Sequence, residues 1–195
     1  PAPSPTATIK QEFALSAVEV SYSRPGMKGR KIFGDLVPFG KVWRTGANSA
    51  TTITFGDDII FGGKPVKAGT YGLLTIPGAS EWTIILSKQL DVTSPAAYKE
   101  DQDVVRIQVK PVNTPFTMQN FMIAFDNITA TSMDIELMWE KTGIVIPVKA
   151  EIDAKISKQI DELMNKDNRP YFNAAMYYLE NGKDLNQAAA WFDNV

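Results

Sequence analysis

Apolar and polar residues alternate with a period of two from about residue 6 to residue 150 of the chain, the spacing of half-buried strands. Val18, Val20 and Tyr22 alternate with Glu19 and Ser21. Trp82, Ile84 and Leu86 repeat the pattern, as do Val105, Ile107 and Val109, and Phe121, Ile123 and Phe125. Met133, Ile135, Leu137 and Trp139 follow, then Ile144, Ile146 and Val148, while Ile53 and Phe55 extend a threonine-rich start at Thr51-Thr52. Side chains two apart share a face, so each run can turn one face to a core and the other to water. Turn chemistry separates the runs at Gly62-Gly63-Lys64-Pro65, Ala68-Gly69, Pro77-Gly78, Asn113-Thr114-Pro115 and Lys141-Thr142-Gly143. About eight to ten short strands without an intervening helix predict a mainly β fold, an antiparallel β-sandwich of jelly-roll or immunoglobulin-like type. The stretch from Leu90 to Asp103 departs from alternation, and Ser94-Pro95 there opens either a short helix or a loop.

After Val148 the period lengthens. Ile152, Ile156, Ile160 and Leu163 recur at helical spacing with charged residues between them. Asn168 and Pro170 signal a second helix start, and Asn181-Gly182 signals its stop after Tyr171 to Glu180. Asp184 is placed to cap a last helix carrying Leu185, Ala188, Ala189 and Phe192, which completes a C-terminal α-helical hairpin. Ala175, Tyr178, Ala188 and Phe192 give it a small-aromatic-small-aromatic order that resembles a tetratricopeptide unit with a turn one residue longer. One such hairpin cannot bury both of its faces, since arrays of this kind need about three units. Either the hairpin packs on the sandwich or the natural chain continues past Val195, and with Trp191-Phe192 so near the end the second is the expectation. The organisation expected is a flexible lead over 1–5, a β-sandwich over 6–150 and a helical tail over 151–195.

Composition narrows the chemistry. The 195 residues are 44% hydrophobic and 22% charged, enough for one domain with an appendage. No apolar stretch approaches the roughly 18 residues of a membrane-spanning helix. A formal net charge of −2 argues against a nucleic-acid partner. The chain has no histidine and no cysteine. That excludes a thiolate or imidazole metal site, haem and iron–sulfur ligation, and every nucleophile–histidine pair. Neither a metal site nor a cofactor is expected. Carboxylates, lysine, tyrosine and serine remain for any catalysis. The start Pro1-Ala2-Pro3-Ser4-Pro5 lacks an initiator methionine and reads as a mature or trimmed terminus, with any signal peptide lying upstream of it.

Two segments concentrate candidate binding residues. From Tyr22 to Gly34, the cations Arg24, Lys28, Arg30 and Lys31 lie among Gly26, Gly29 and Gly34. Glycines let backbone N–H groups approach a ligand, and guanidinium forks match carboxylate or phosphate oxygens. Such a loop either binds an anion or is a solvated loop whose arginines bond backbone carbonyls. From Val42 to Thr51, Trp43 beside Arg44 can stack on a sugar, with Asn48 hydrogen-bonding from the turn. Alternatively Trp43 is a core plug and Gly46-Ala47-Asn48 simply turn chemistry. The carboxylate pairs Asp57-Asp58 and Asp101/Asp103 read as solvated turn charges, because neighbouring strand residues face opposite ways and no calcium loop surrounds the second pair. Asn127-Ile128-Thr129 matches a glycosylation sequon. Tyr71, Trp82, Phe121, Phe125 and Trp139 stand at alternating positions expected to face the core.

Tyr22-Ser23-Arg24-Pro25, Gly29-Arg30 and Ile32-Phe33-Gly34 precede the run Val37-Pro38-Phe39-Gly40-Lys41-Val42-Trp43-Arg44-Thr45-Gly46-Ala47-Asn48 with Thr51. Ala68-Gly69-Thr70-Tyr71, Ile76-Pro77 and Glu81-Trp82 follow. Together these resemble a domain-of-unknown-function family of envelope or secreted proteins from Gram-negative bacteria, members of which often carry a tetratricopeptide-like tail. The resemblance implies an exported, periplasmic or secreted location. It carries no established activity, cofactor or catalytic residue.

Three functions follow as expectations. The first is a non-catalytic exported module that binds a glycan, an anion or an envelope protein through Arg24, Lys28, Arg30, Trp43, Arg44 and Asn48. The second is a carboxylate- or tyrosine-dependent enzyme acting on envelope polysaccharide, with Tyr22 or Tyr71 as the acid–base group. The third is a purely structural domain in which the arginines form a buried network tying loops to the sheet.

Overall fold

A computed structural model describes residues 2–195; residue 1 of the expected flexible lead lies outside the described residues. The chain divides between Glu151 and Ile152 into two compact units.

The first unit is built from ten strands. They are β1 (Thr6–Phe13), β2 (Ser16–Ser23), β3 (Thr52–Phe55), β4 (Ile59–Phe61), β5 (Lys64–Val66), β6 (Gly69–Ile76), β7 (Trp82–Ser87), β8 (Asp103–Val109), β9 (Val112–Asp126) and β10 (Ser132–Ala150). Six form one sheet in the order β1-β2-β3-β6-β7-β8, and four form the other in the order β5-β4-β10-β9. Neighbours run antiparallel throughout. The predicted alternation holds: Val18, Val20, Ile53, Phe55, Ile84 and Leu86 of the first sheet join one buried cluster with Ile123, Ile135, Leu137, Ile144 and Ile146 of the second. Each such side chain removed from water contributes about 1.5–3 kcal/mol, so this shared cluster dominates the cohesion of the sandwich.

The first sheet also covers part of its other face. Leu74 and Ile85, which alternate with the core-facing Leu73 and Ile84, pack with Val92 in a smaller cluster joined by Val42 and Tyr98. The segment 88–102 therefore lies across that face. Its irregular sequence resolves as two short 3-10 turns, Pro95–Ala97 and Glu100–Gln102, so Ser94-Pro95 opens a helical turn inside a loop. Gln89 pins it by donating to the carbonyl of Ala97 (3.0 Å) and accepting from the N–H of Lys99 (2.7 Å).

The long connection 24–51 between β2 and β3 borrows pairing from both sheets. Met27 N–H donates to the carbonyl of Gln119 (2.6 Å) and Phe121 N–H to that of Pro25 (3.0 Å), which ties the connection to β9. Farther along, Trp43 and Thr75 exchange backbone bonds of 2.7 and 3.1 Å, which ties it to β6 beyond the end of β3. Both attachments satisfy backbone groups that a free loop would leave to solvent.

Two carboxylates differ from expectation. Asp57 is buried, with 7% of its surface exposed, and accepts from the N–H of Leu15 (3.1 Å), stitching the β1–β2 turn to the β3–β4 turn. Asp103 is equally enclosed, with 7% of its side chain exposed; it accepts from the Tyr98 hydroxyl (2.5 Å) and lies 3.2 Å from Arg106 Nε. Burial raises its pKa above the ordinary carboxylate value, against the lowering pull of Tyr98 and Arg106. A carboxylate that meets backbone or side-chain donors can be enclosed where an isolated one cannot, which is why these two are structural rather than solvated. Asp58 keeps the expected turn position, accepting from Lys67 (2.8 Å) and from the N–H of Ala68 (2.9 Å).

The second unit holds three helices, α1 (Asp153–Met164), α2 (Tyr171–Glu180) and α3 (Leu185–Phe192). Asp184 caps α3 by accepting from the N–H groups of Asn186 (2.9 Å) and Gln187 (3.1 Å), as its sequence position predicts. The small buried residues Ala174, Ala175 and Ala188 let α2 and α3 approach, and Tyr178 meets Trp191 edge-on at 4.8 Å. No helix among the described residues is long and apolar enough to cross a membrane.

Candidate functional site

Trp43 is the residue around which the site is organised. Its backbone is held by Thr75, and its indole N–H donates to the carbonyl of Gly46 (3.0 Å), so a tight turn closes beneath it. Thr45 and Asn48 adopt left-handed backbone angles (φ 56° and 57°) in that turn, and the buried Thr51 hydroxyl donates to the carbonyl of Thr45 (2.7 Å). A side chain at Gly46 would place its Cβ 3.0 Å from both the Ser23 carbonyl oxygen and the Thr51 hydroxyl, which explains the glycine. With its N–H committed, Trp43 offers only its ring.

That ring sits in an aromatic cluster drawn from three parts of the fold. It stacks on Trp139 of β10 with centroids 5.9 Å apart and planes 19° from parallel. Phe121 of β9, Trp82 of β7 and Phe33 of the connection meet it edge-on at 4.9, 6.4 and 5.8 Å. Edge-on and offset contacts of this kind add about 0.5–1.5 kcal/mol per pair beyond burial. Trp43 is thus a core plug on one side.

Its other side faces a cleft of about 450 Å³, within the range of small-molecule sites. Trp43 and Trp139 line its base, and Pro25, Val37, Pro38 and Val42 supply apolar walls. Arg30, Lys41 and Arg44 are its charged lining, and Thr93, Ser94 and Pro95 of the 88–102 segment also line it. No aspartate, glutamate or tyrosine is among the lining residues. Three cations over an aromatic base make a site suited to an anion borne on a flat or apolar body.

The predicted site residues divide. Arg30, Trp43 and Arg44 come together in the cleft; Arg24, Lys28 and Asn48 are not part of its lining. Arg24 Nε donates to the carbonyl of Phe121 (3.0 Å) and fixes the connection to β9. Asn48 Nδ2 donates to the carbonyl of Ser4 (2.9 Å), and Lys28 is exposed at a left-handed backbone position (φ 50°). Arg30 does both jobs: Nε and Nη2 donate to the carbonyls of Met27 (3.0 Å) and Gly26 (2.7 Å), while the residue still lines the cleft. Arg44 Nη1 donates to the carbonyl of Thr93, joining the two loops that form the cleft. Its Nε–H is buried without a partner in the protein, an arrangement that costs about 1–3 kcal/mol.

Lys41 is the lining residue that sequence reasoning missed. It is exposed and lacks any periodic or spaced partner in the sequence; its only signal was a place in the run leading to Trp43. The tyrosines considered for acid–base work are engaged elsewhere. Tyr22 is buried, its hydroxyl donating to the carbonyl of Ile123 (3.3 Å) and accepting from the same residue's N–H (2.9 Å). Tyr71 donates to the carbonyl of Lys67 (2.7 Å), and burial, with the charge of Asp58, raises its pKa above the ordinary value. No group of three or more acidic side chains that could hold a metal ion occurs among the described residues.

A model of a family described as "Protein of unknown function (DUF2911)" matches residues 4–148, the greater part of the first unit. Neither a curated protein nor a solved structure gives a significant match to the chain.

Proposed function

The chain belongs to the DUF2911 family of proteins of unknown function, and we propose that its β-sandwich is a non-catalytic module that binds a small acidic sugar in the Trp43 cleft. The observation that carries this is the lining itself: Arg30, Lys41 and Arg44 line one cleft with Trp43 and Trp139, and no acidic side chain is among the lining residues. Guanidinium and ammonium groups hold a carboxylate, and an indole face holds the apolar face of a pyranose ring. The partnerless Nε–H of Arg44 is a further donor that a shift of this side chain would present to a ligand oxygen. The enzymatic alternative called for a carboxylate or tyrosine as its acid–base group, and the lining offers neither a carboxyl nor a phenol; its amine, Lys41, is exposed. An exported location, as the family resemblance implies, would put the cleft within reach of uronate-bearing envelope polysaccharide.

Isothermal titration with glucuronate and with glucose tests the proposal. Glucuronate is expected to bind and glucose not to bind; equal affinity for the two, or none for glucuronate, would overturn it. A structural role is favoured for Arg24 and Asn48 by their bonds to the Phe121 and Ser4 carbonyls, so these two residues are proposed as staples that hold the cleft's loops. For the second unit we retain the tetratricopeptide-like pairing of α2 with α3, on the packing of Ala175, Ala188, Tyr178 and Trp191.

A further inference from the structure

Beside the cleft the connection makes a tight tip. Val37 N–H donates to the carbonyl of Ile32 (2.9 Å), Gly34 N–H to that of Val37 (2.9 Å), and Leu36 N–H to that of Lys31 (3.4 Å). These bonds turn Val37 inward, 6% exposed, and leave Leu36 and Phe39 outside, each 44% exposed. Phe39 lies over Gly34, where a Cβ would stand 2.7 Å from the ring and φ is +88°, so the tip is braced by a glycine no other residue replaces easily. Lys28, Arg30, Lys31 and Lys41 are exposed along this connection; Asp35 lies among them in sequence, and Glu140 of β10 reaches the tip, its carboxylate accepting from the N–H of Ile32 (3.4 Å). Arg30, Leu36 and Lys41 also share the cleft lining, which places charge and apolar surface together in space and not only in sequence. In a chain of net charge −2 this is a local reversal of sign.

We infer that this tip docks on an anionic lipid surface, with Leu36 and Phe39 entering the headgroup layer and the four cations facing lipid phosphates. Two apolar side chains are far too little for a stable protein interface, which buries roughly 800 Å² on each partner. They suffice at a membrane, where modest apolar insertion adds to the attraction of several cations for anionic headgroups. The inference goes beyond sugar binding and does not depend on it, because Leu36 and Phe39 rather than Trp43 carry it.

Co-sedimentation of the full chain with vesicles tests it, using phosphatidylcholine alone and phosphatidylcholine with about one-third phosphatidylglycerol. Binding is expected only to the anionic vesicles. Lys31→Glu should weaken it at least about fivefold, and Leu36→Asp with Phe39→Ser at least about tenfold. Leu36→Asp alone, at an exposed position away from the Gly34 contact, gives the same answer if the double variant melts early. No binding to anionic vesicles, or binding unchanged by the Leu36 variants, would overturn the inference. So would self-association of the native chain that the Leu36 variant abolishes, because the tip would then be a protein contact. Glucuronate titration of the native chain is read separately: its failure alone removes the cleft proposal, and failure of vesicle binding alone removes the lipid one.

Discussion

The indoles of Trp43 and Trp139 stack 5.9 Å apart, although one belongs to a connecting loop and the other to the longest strand. Their contact joins the connection 24–51 to the sandwich and makes the base of the cleft at the same time. Core packing and cleft lining fall to one side chain here: the core-plug alternative for Trp43 is realised, and the same ring is the one that the proposal gives to the sugar. Removing Trp43 is therefore a poor test of binding and a good test of architecture.

Trp43→Ala empties the centre of a five-ring cluster. The expected loss is about 3 kcal/mol, the lower end for a tryptophan truncation because Trp43 is only half-buried. Urea unfolding measures it, and a loss below about 1 kcal/mol would show that the connection is held without its aromatic plug.

Gly72→Ala tests how closely the 88–102 segment lies on the first sheet. A Cβ at Gly72 would fall 2.1 Å from the carbonyl oxygen of Gln89, a backbone atom that cannot swing aside. Overpacking of this kind costs about 1–3 kcal/mol. Thermal melts should show the destabilisation, and a neutral result would mean that the segment is free to lift away.

The second unit should respond to acid through Asp153. Its carboxylate accepts from Lys183 Nζ (2.8 Å) and the Tyr177 hydroxyl (2.6 Å), and these partners hold its pKa below the usual 3.8. A carboxyl more acidic in the folded state than in the unfolded one stabilises the fold above about pH 4, and the contribution vanishes as pH falls through the lowered value. The site is largely exposed, so the effect is below about 1 kcal/mol. Helical melts followed by circular dichroism at about pH 6 and about pH 3 should show the loss in the native chain and a smaller one in Asp153→Asn. Equal losses in both would contradict the assignment.

What was legible in the sequence follows from what is periodic. Strands such as β7 and β10 announce themselves because residues two apart must share a face, and α3 does so because Asp184 caps it within three residues. The cleft was half legible. Trp43 and Arg44 stood out by residue type, but the partners that give them meaning are distant: Thr75 and Thr93 lie in other loops or strands, and Trp139 lies almost a hundred residues on. Lys41 had no signal beyond its place in the run leading to Trp43. Asp57 misled for the same reason, since the N–H it serves belongs to Leu15 in another hairpin. Short-range pattern reports which face a residue takes, not which distant group it will meet.

The cations of the connection 24–51 should separate by role. Arg24→Met removes a bond to the Phe121 carbonyl and should cost about 1 kcal/mol of stability in urea unfolding, with glucuronate affinity nearly unchanged. Lys41→Glu, at an exposed position, should leave stability unchanged and reduce glucuronate affinity at least tenfold. The reverse pattern would move the site from the cleft to the loop.

The four tryptophans, Trp43, Trp82, Trp139 and Trp191, offer the most direct test of the cleft, because each gives one indole N–H resonance. On titration with glucuronate, the resonances of Trp43 and Trp139 should shift in a saturable way while those of Trp82 and Trp191 stay in place, and Lys41→Glu should abolish the shifts. Saturable binding that leaves Trp43 and Trp139 unmoved, or no saturable shift at any tryptophan, would contradict the account.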